Sequence, residues 1–461
     1  MAGLIPFQRI KRTGKREAAE SLSAPFFRLA QMETAGGLLL IGATVAALIW
    51  ANSSGGDGYE KLWHKTYLDL TLGEWGMHLS LGHWINDLLM AVFFLFVGLE
   101  IKREIISGEL RSMKKAAVPI CAAIGGMIVP AAIYTAMNLS GDGSAGWGIP
   151  MATDIAFALG VLAMLGPGIP KTLMVFLMSL AIVDDLGALL VIAVFYTDDL
   201  AFGMLGYAGL VVLGLVGLNL LGFRRIWLYL AVGLVLWYFV YKSGVHSTIA
   251  GVVLALTIPE RKRVHWKSYA GYVRGALDHF EQEAKDTDNE EGDLTGTQQG
   301  VVRAIEIASI EVETPLRRLE TILVPWTAFL IVPVFALSNA GVRVAGGDAG
   351  LGELASGSVF WGVALGLVIG KVIGVFGATW LAVKLGIGTL PDKVTWRHVF
   401  GASWLAGIGF TMALFIANLA FKGEEAALML SQAKIAILGA SAVAGVVGVL
   451  VLAKSRPAGA S

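Results

Sequence analysis

Residues 179–187 read Ser179-Leu-Ala-Ile-Val-Asp-Asp-Leu-Gly187, two adjacent acids within the apolar run Lys171–Thr197. The run is long enough to cross a hydrocarbon core of about 30 Å. Asp184 is thirteen residues from either end of it, hence close to the middle of such a span. An acid at that depth is costly and is rarely kept without a use. This stretch therefore poses two questions: whether the whole chain is built for a membrane, and what meets the two carboxylates.

Composition answers the first. Of 461 residues, 56% are hydrophobic and 15% charged, and the mean hydropathy is +0.70. Soluble chains run near 45–50% apolar and about 25% charged, so a soluble fold of this size could not cover its apolar surface. Ten clear apolar runs read as spanning helices: Ala35–Ala51, Ile85–Ile101, Ala116–Leu139, Lys171–Thr197, Leu200–Gly222, Ile226–Tyr241, Val324–Ala340, Val359–Leu385, Trp404–Phe421 and Ala433–Leu452. Two shorter or flawed runs, Pro150–Leu165 and Val245–Pro259, bring the expectation to twelve. The fold class is thus all-α and polytopic. The 58 glycines suit close helix packing and broken helices.

Lys+Arg and Asp+Glu balance at 35 each, so no global charge points to nucleic acid. Placed on twelve spans, 28 basic residues fall on the side of the N-terminus, against Lys61, Lys65, Lys242, Arg343 and Lys422 on the other. The positive-inside rule then puts both termini in the cytoplasm. The basic start (Arg9, Lys11, Arg12, Lys15, Arg16) lies too far ahead of the first apolar run to be a signal peptide. Residues 1–30 read as a cytoplasmic basic arm, 31–455 as one transporter domain and 456–461 as a tail. Cys121 is the only cysteine, which excludes an intramolecular disulfide and a cysteine metal cluster. The seven histidines have no ligand spacing, and no cofactor is expected.

Two loops stand out. In 52–84, the segment 65–80 alternates around Gly73-Glu74 and reads as an extracytoplasmic β-hairpin. An isolated hairpin is marginal, so it either pairs with a second copy, making a homodimer, or folds against its own helices. The loop 260–323 carries Asp278, Glu281, Glu283, Asp286, Asp288, Glu290, Glu291 and Asp293 against Lys285 alone, and this run is expected to be solvated. Beyond it, Val302–Glu320 has helical periodicity and is expected to form a surface helix.

Among the charges inside apolar runs, four positions matter most, Asp154, Asp184, Asp185 and Lys371, away from the run ends or at a helix break. Adjacent carboxylates on a helix point about 100° apart. One can meet a cation in a cavity while its neighbour pairs with a base, and Lys371 is the only base at that depth. The pairing expected is Asp184 with Lys371, leaving Asp185 as cation ligand; the residues alone leave open which acid takes which role. An Asp–Lys pair can also be purely architectural, although a structural pair would need only one acid. Two close carboxylates in a poorly hydrated site cannot easily both stay ionised, so a proton and a hard monovalent cation compete for the same oxygens. Pro150–Asp154 and Gly407-Ile-Gly-Phe-Thr411 interrupt the fourth and eleventh runs, each second in a three-span unit (3–5 and 10–12). Interruptions at matching places point to inverted repeats with crossing broken helices. Asp154 would offset half-helix N-terminal ends and Lys371 the C-terminal ends. Toward the cytoplasm, Glu100 and Glu320 suit an acidic mouth that concentrates cations; Glu100 and Glu104 could equally pair with Lys102 or Arg103. Asp87 falls at the wrong end of its span for that role. His246 opens the short eighth run, as a structural residue or a pH sensor.

With these residues in place, the chain resembles the NhaA family of bacterial sodium–proton antiporters from about Phe26 to Leu452. The likeness is carried by Ile85-Asn-Asp, Gly98-Leu-Glu with Lys-Arg-Glu104, Ala152-Thr-Asp-Ile-Ala-Phe-Ala-Leu-Gly-Val161, Ile182-Val-Asp-Asp-Leu-Gly-Ala188, Phe335-Ala-Leu-Ser-Asn-Ala-Gly341, Gly370-Lys371 and Gly407-Ile-Gly-Phe-Thr-Met412. The family is itself a type example of the inverted-repeat class. The resemblance implies that Asp184, Asp185 and Thr153 attend the transported Na⁺, with Asp185 the principal ligand and Lys371 paired to Asp184. It implies that Thr153 and Asp154 lie where two unwound helices cross. Asp87, Glu100 and Glu320 would belong to an acidic access route, with His246 among the pH-linked positions, and the hairpin would mediate a homodimer. The implied activity is electrogenic exchange by alternating access in the bacterial inner membrane, importing protons to expel Na⁺ or Li⁺ and switched on at alkaline pH. The chain departs from the pattern in its longer acidic loop and in Thr321 and Val324 beside Glu320, where some relatives have histidines. A sodium-coupled solute symporter would need more mid-span polar groups than Thr153, Thr411 and Asn418 supply. An intramembrane aspartyl protease would need a Gly-x-Gly-Asp signature that the sequence lacks. No enzyme activity is expected.

Overall fold

The structure, a computed structural model, describes residues 33–72, 75–139, 141–197, 200–261, 264–286, 294–343 and 350–455. The basic arm, the 456–461 tail, the hairpin's Gly73-Glu74 and the acidic run from 287 to 293 lie outside these. The described chain is mostly helical with one two-stranded sheet.

Helix α1 (Glu33–Ala51) turns sharply into α2 (Gly56–Lys65), a bend of 118° that keeps the pair from being one straight span. Strands β1 (Tyr67–Leu72) and β2 (Trp75–Ser80) pair antiparallel, Tyr67 opposite Ser80, as the alternation predicts. Trp84 Nε1 donates to Leu68 O (3.2 Å) and Lys242 Nζ to Gly76 O (3.3 Å), so the hairpin is tied to helices of its own chain. Then follow α3 (Leu81–Ser107), α4 (Met113–Met137), the 3₁₀ helix α5 (Asp142–Met151), α6 (Ile155–Met164) and α7 (Lys171–Phe195). Next come α8 (Phe202–Leu220), α9 (Ile226–Lys242) and α10 (Ile249–Thr257).

The long loop is not a loop throughout. Helix α11 (Trp266–Asp286) takes in the first half of the acidic run, and α12 (Gly296–Val312) packs on it. Thr295 starts α12 with a reciprocal capping box to Gln298. The expected single helix Val302–Glu320 is in fact divided. The chain is extended at Glu313 and Thr314, the Thr314 side chain caps the next helix, and Pro315 occupies its first turn. That helix, α13 (Pro315–Asn339), is a full span reaching nine residues below the apolar run read from sequence. The chain closes with α14 (Ser358–Lys384), α15 (Trp396–Leu405), α16 (Phe410–Ala420) and α17 (Ala427–Ala453).

Among the described residues, seven helices are long and apolar enough to cross a membrane, or up to ten if each bent pair is one span. The shortfall from twelve has a local cause. α9 has 17 residues, and α10 has nine because the chain turns at Ser243–Thr248 before entering it. The helices sort into two packed bodies. In one, α4 lies along α14 and against α7, with α5, α6, α15, α16 and α17 around them. In the other, α3 packs on α10 and α13, with α8 and α9 outside; α1 lies against both bodies, packing on α13 of this one and on α6 of the first.

Candidate functional site

Lys371 is placed by glycine. A π-turn at Gly366–Gly370 opens the α14 helix just ahead of it. At Gly374 an added Cβ would sit 2.2 Å from Gly125 O, and at Gly125 one would sit 2.4 Å from Gly374 O. Only side-chain-free residues permit α14 to approach α4 this closely. The approach carries the lysine into the interior, where Nζ donates to Asp184 Oδ2 at 2.6 Å and both side chains are fully buried. The pair joins α14 to α7, 187 residues apart in sequence. Asp185, the next residue on α7, is 2% exposed, and adjacent side chains on a helix diverge by about 100°. Asp185 Oδ1 and Asp184 Oδ1 are buried with no hydrogen-bond partner.

The two interrupted runs meet beside these acids. α5 and α6 bend by 41° and α15 and α16 by 44°, at non-helical residues 152–154 and 407–409. The unwound segments cross: Asp154 N donates to Ile408 O (2.7 Å) and Thr153 Oγ1 to Ala406 O (2.7 Å). Asp154 faces two helix N-termini at once. Its Oδ1 accepts from Phe157 N (2.9 Å) at the start of α6; its Oδ2 accepts from Thr411 N (3.1 Å) and the Thr411 hydroxyl at the start of α16. A carboxylate there satisfies orphan amides and opposes the positive dipole ends. Lys371 Nζ is held by Asp184, and the carbonyl at the end of α15 accepts from the Thr153 hydroxyl. A threonine hydroxyl can donate where a short reach is needed and costs less to bury than an ammonium. Thr153 also lies beside Asp184.

The three acids assigned to one access route do not form one group. Glu100 and Glu320 converge on Arg103, which also holds Glu104: Arg103 Nη2 is 3.5 Å from Glu100 and 2.9 Å from Glu104, and Nη1 bonds Glu320. Asp87 is thirteen residues earlier on the same helix, about 20 Å away along its axis. There Ser247 Oγ donates to Asp87 Oδ1 (2.7 Å) and Trp237 Nε1 to Asp87 O (3.2 Å). His246 stands in the turn before α10, its Nδ1 3.1 Å from Thr248 Oγ1 and its ring edge-on to Phe415. Thr321 and Val324 face outward from α13. Sequence reasoning missed Thr411 as the partner of Asp154 and Arg103 as the centre of the acidic cluster. Thr411 lay inside a quoted motif, and Arg103 follows Glu100 at i+3. Lys102, the other candidate partner, donates instead to Leu256 O (2.7 Å) and Ile258 O (2.5 Å) at the end of α10.

The description Na+/H+ antiporter 1 belongs to the family model that matches residues 28–452. The chain is 46% identical to Na(+)/H(+) antiporter NhaA 1 of Saccharophagus degradans, over 93% of this chain and 91% of that one. It is 48% identical to the Na(+)/H(+) antiporter NhaA of Oleidesulfovibrio alaskensis over 94% of each chain. The corresponding protein of Wolinella succinogenes is 48% identical over 89% of each. These relatives are named as transporters rather than enzymes, and the long apolar helices agree with a multi-pass membrane protein. The broken crossing helices, the buried acids and matches across nearly its whole length together place the chain in the Na+/H+ antiporter 1 family.

Proposed function

We propose that the chain expels Na⁺ or Li⁺ in exchange for protons, with Asp185 and Asp184 as the exchange site. The observation that carries this is the pair of buried, unpartnered carboxylate oxygens, Asp185 Oδ1 and Asp184 Oδ1, beside an ion pair that uses only Asp184 Oδ2. A buried polar atom without a partner is costly, and a hard monovalent cation or a proton can each satisfy an acid oxygen there. Asp154 is satisfied by three donors and Asp184 is neutralised by Lys371. Of three acids and one base, the uncompensated one is Asp185.

Exchange follows from exclusion. Sodium enters when Asp185 has lost its proton; reprotonation follows when sodium leaves. If the two states open to opposite sides, a net import of protons drives sodium out. Thr153, between Asp184 and the α15 carbonyl, is positioned to offer its hydroxyl oxygen as a further ligand. The two matching bends support inverted repeats of spans 3–5 and 10–12, with one body moving against the other. Electrogenic stoichiometry, activation at alkaline pH, an inner-membrane location with both termini cytoplasmic, and a hairpin-mediated homodimer complete the proposal. The test is Asp185→Asn in everted vesicles with insertion checked independently. Sodium-dependent proton movement is expected to vanish. Retained exchange with unaltered sodium dependence would overturn the assignment.

A further inference from the structure

Two of the quoted motifs, Ile85-Asn-Asp87 and Phe335-Ala-Leu-Ser-Asn-Ala-Gly341, contribute nothing to the ion site, yet their asparagines meet. Asn339 Nδ2 donates to Asn86 Oδ1 (2.9 Å) and Asn86 Nδ2 to Asn339 Oδ1 (3.3 Å), joining α13 to α3 within one body. Asn418, on α16 of the other body, donates its Nδ2 to the same Asn339 Oδ1 at 2.9 Å. Asn418 lies seven residues beyond Thr411, about 10 Å further along α16 from the helix crossing. Between the two levels, the fully buried Phe415 of α16 packs on Phe94 of α3 (ring centroids 5.6 Å), Phe335 of α13 (6.2 Å) and the His246 ring (5.4 Å). At this end, then, the seam between the bodies is an aromatic plug with a carboxamide bond above it.

We infer that the Asn418–Asn339 bond is a latch that holds this end of the seam shut, so that it breaks when the exchange site opens to this side. The bonding pattern suits a contact made to be broken. When the bodies part, Asn418 Nδ2 retains its second bond, to Leu414 O of its own helix (2.9 Å). Asn339 Oδ1 retains Asn86, and Asn339 Nδ2 retains Phe335 O (3.0 Å) and Ser338 Oγ (2.7 Å). Neither partner is orphaned, so release escapes the large penalty of an unsatisfied buried group. A permanent staple would gain nothing from such fallback partners. Interhelical bonds of this kind shift a membrane equilibrium by roughly 3- to 30-fold.

The inference rests on the alternating-access reading above, and its test separates the two. In a Cys121→Ser background, Asn339→Cys with Asn418→Cys brings two thiols to the seam. On oxidation the cross-link is expected to form, and exchange to fall at least tenfold and return on reduction. No cross-link, or a full cross-link with undiminished exchange, overturns the latch. If neither the reduced variant nor the unaltered chain exchanges sodium for protons, the functional reading fails instead. The single variant Asn418→Ala is then assayed in right-side-out and everted vesicles. The apparent KM for sodium should fall on the side of the seam and rise on the opposite side, by several-fold, with turnover changed less. Equal changes on both faces, or none, mark Asn418 as merely structural and also overturn the latch.

Discussion

Replacing Lys371 by Met tests the buried pair most directly. The ammonium is 0% exposed and 2.6 Å from an equally buried carboxylate. Met nearly fills the same volume, so cavity formation contributes little, and what remains is Asp184 without its partner. Removing one member of a buried pair costs about 3–5 kcal/mol, because it leaves an uncompensated charge. On the soluble-protein scale of ~2.1 cal/mol/K per residue, a cooperative unit of this length has an unfolding entropy near 1 kcal/mol/K, so Tm should fall by about 3–5 °C. The double variant Asp184→Asn with Lys371→Met removes both charges and should recover most of that loss, since a well-packed neutral replacement is often close to neutral. The assay is thermal unfolding of purified protein in detergent at fixed pH and sodium, for both single variants and the double. Additive losses, or a Lys371→Met protein that melts with the unaltered chain, would refute the view that the pair is energetically coupled.

Asp154→Ala strips acceptors from two amides and one hydroxyl at the starts of α6 and α16. A loss of about 2 kcal/mol or more is expected, with Thr411→Val milder because it removes a single donor; ranked Tm values check the order. Gly125→Ala drives a methyl to 2.4 Å from Gly374 O and from Ala378 Cβ. It should destabilise the α4–α14 seam by about 1–3 kcal/mol, whereas Gly377→Ala, with nothing within 4 Å, should be tolerated; denaturation midpoints compare them. Arg103→Gln leaves three carboxylates facing one another without their cation. The pH dependence of exchange should move with exchange itself retained, and an unmoved profile in everted vesicles counts against a role in access or regulation. Deleting 65–80 should abolish cross-linked dimers in membranes; persisting dimers would show that the copies meet elsewhere.

Much of this was legible because a membrane makes sequence stringent. A charge within an apolar run must be answered by something at the same depth, and for Asp184 and Asp185 one base was available. Lys371 could therefore be assigned to the acid pair with no knowledge of packing, and the structure gives it to Asp184, 187 residues away. The breaks at 152–154 and 407–409 were visible because glycine, proline and acid interrupt otherwise continuous runs, and the hairpin because its period is two. Helix boundaries in the 260–323 region were less legible, since amphipathic surface helices carry polar residues that hydropathy counts as loop. The division of Val302–Glu320 turns on Thr314-Pro315, a capping signal that outweighs periodicity.

The sequence by itself determined that the chain belongs in a membrane, which acids lie deep within it, and where two helices break. Those are properties of composition and spacing, fixed before any two helices touch. Only the tertiary structure decided the partners. It gave Asp154 to Thr411 and the Ala406 carbonyl to Thr153, gathered Glu100, Glu104 and Glu320 on Arg103, and left Asp87 about 20 Å away along α3. Hydrogen bonds and ion pairs depend on ångström-scale approach between helices distant in sequence. That approach is set by glycine seams such as Gly125–Gly374 and by the crossing of unwound backbone, which no periodicity encodes.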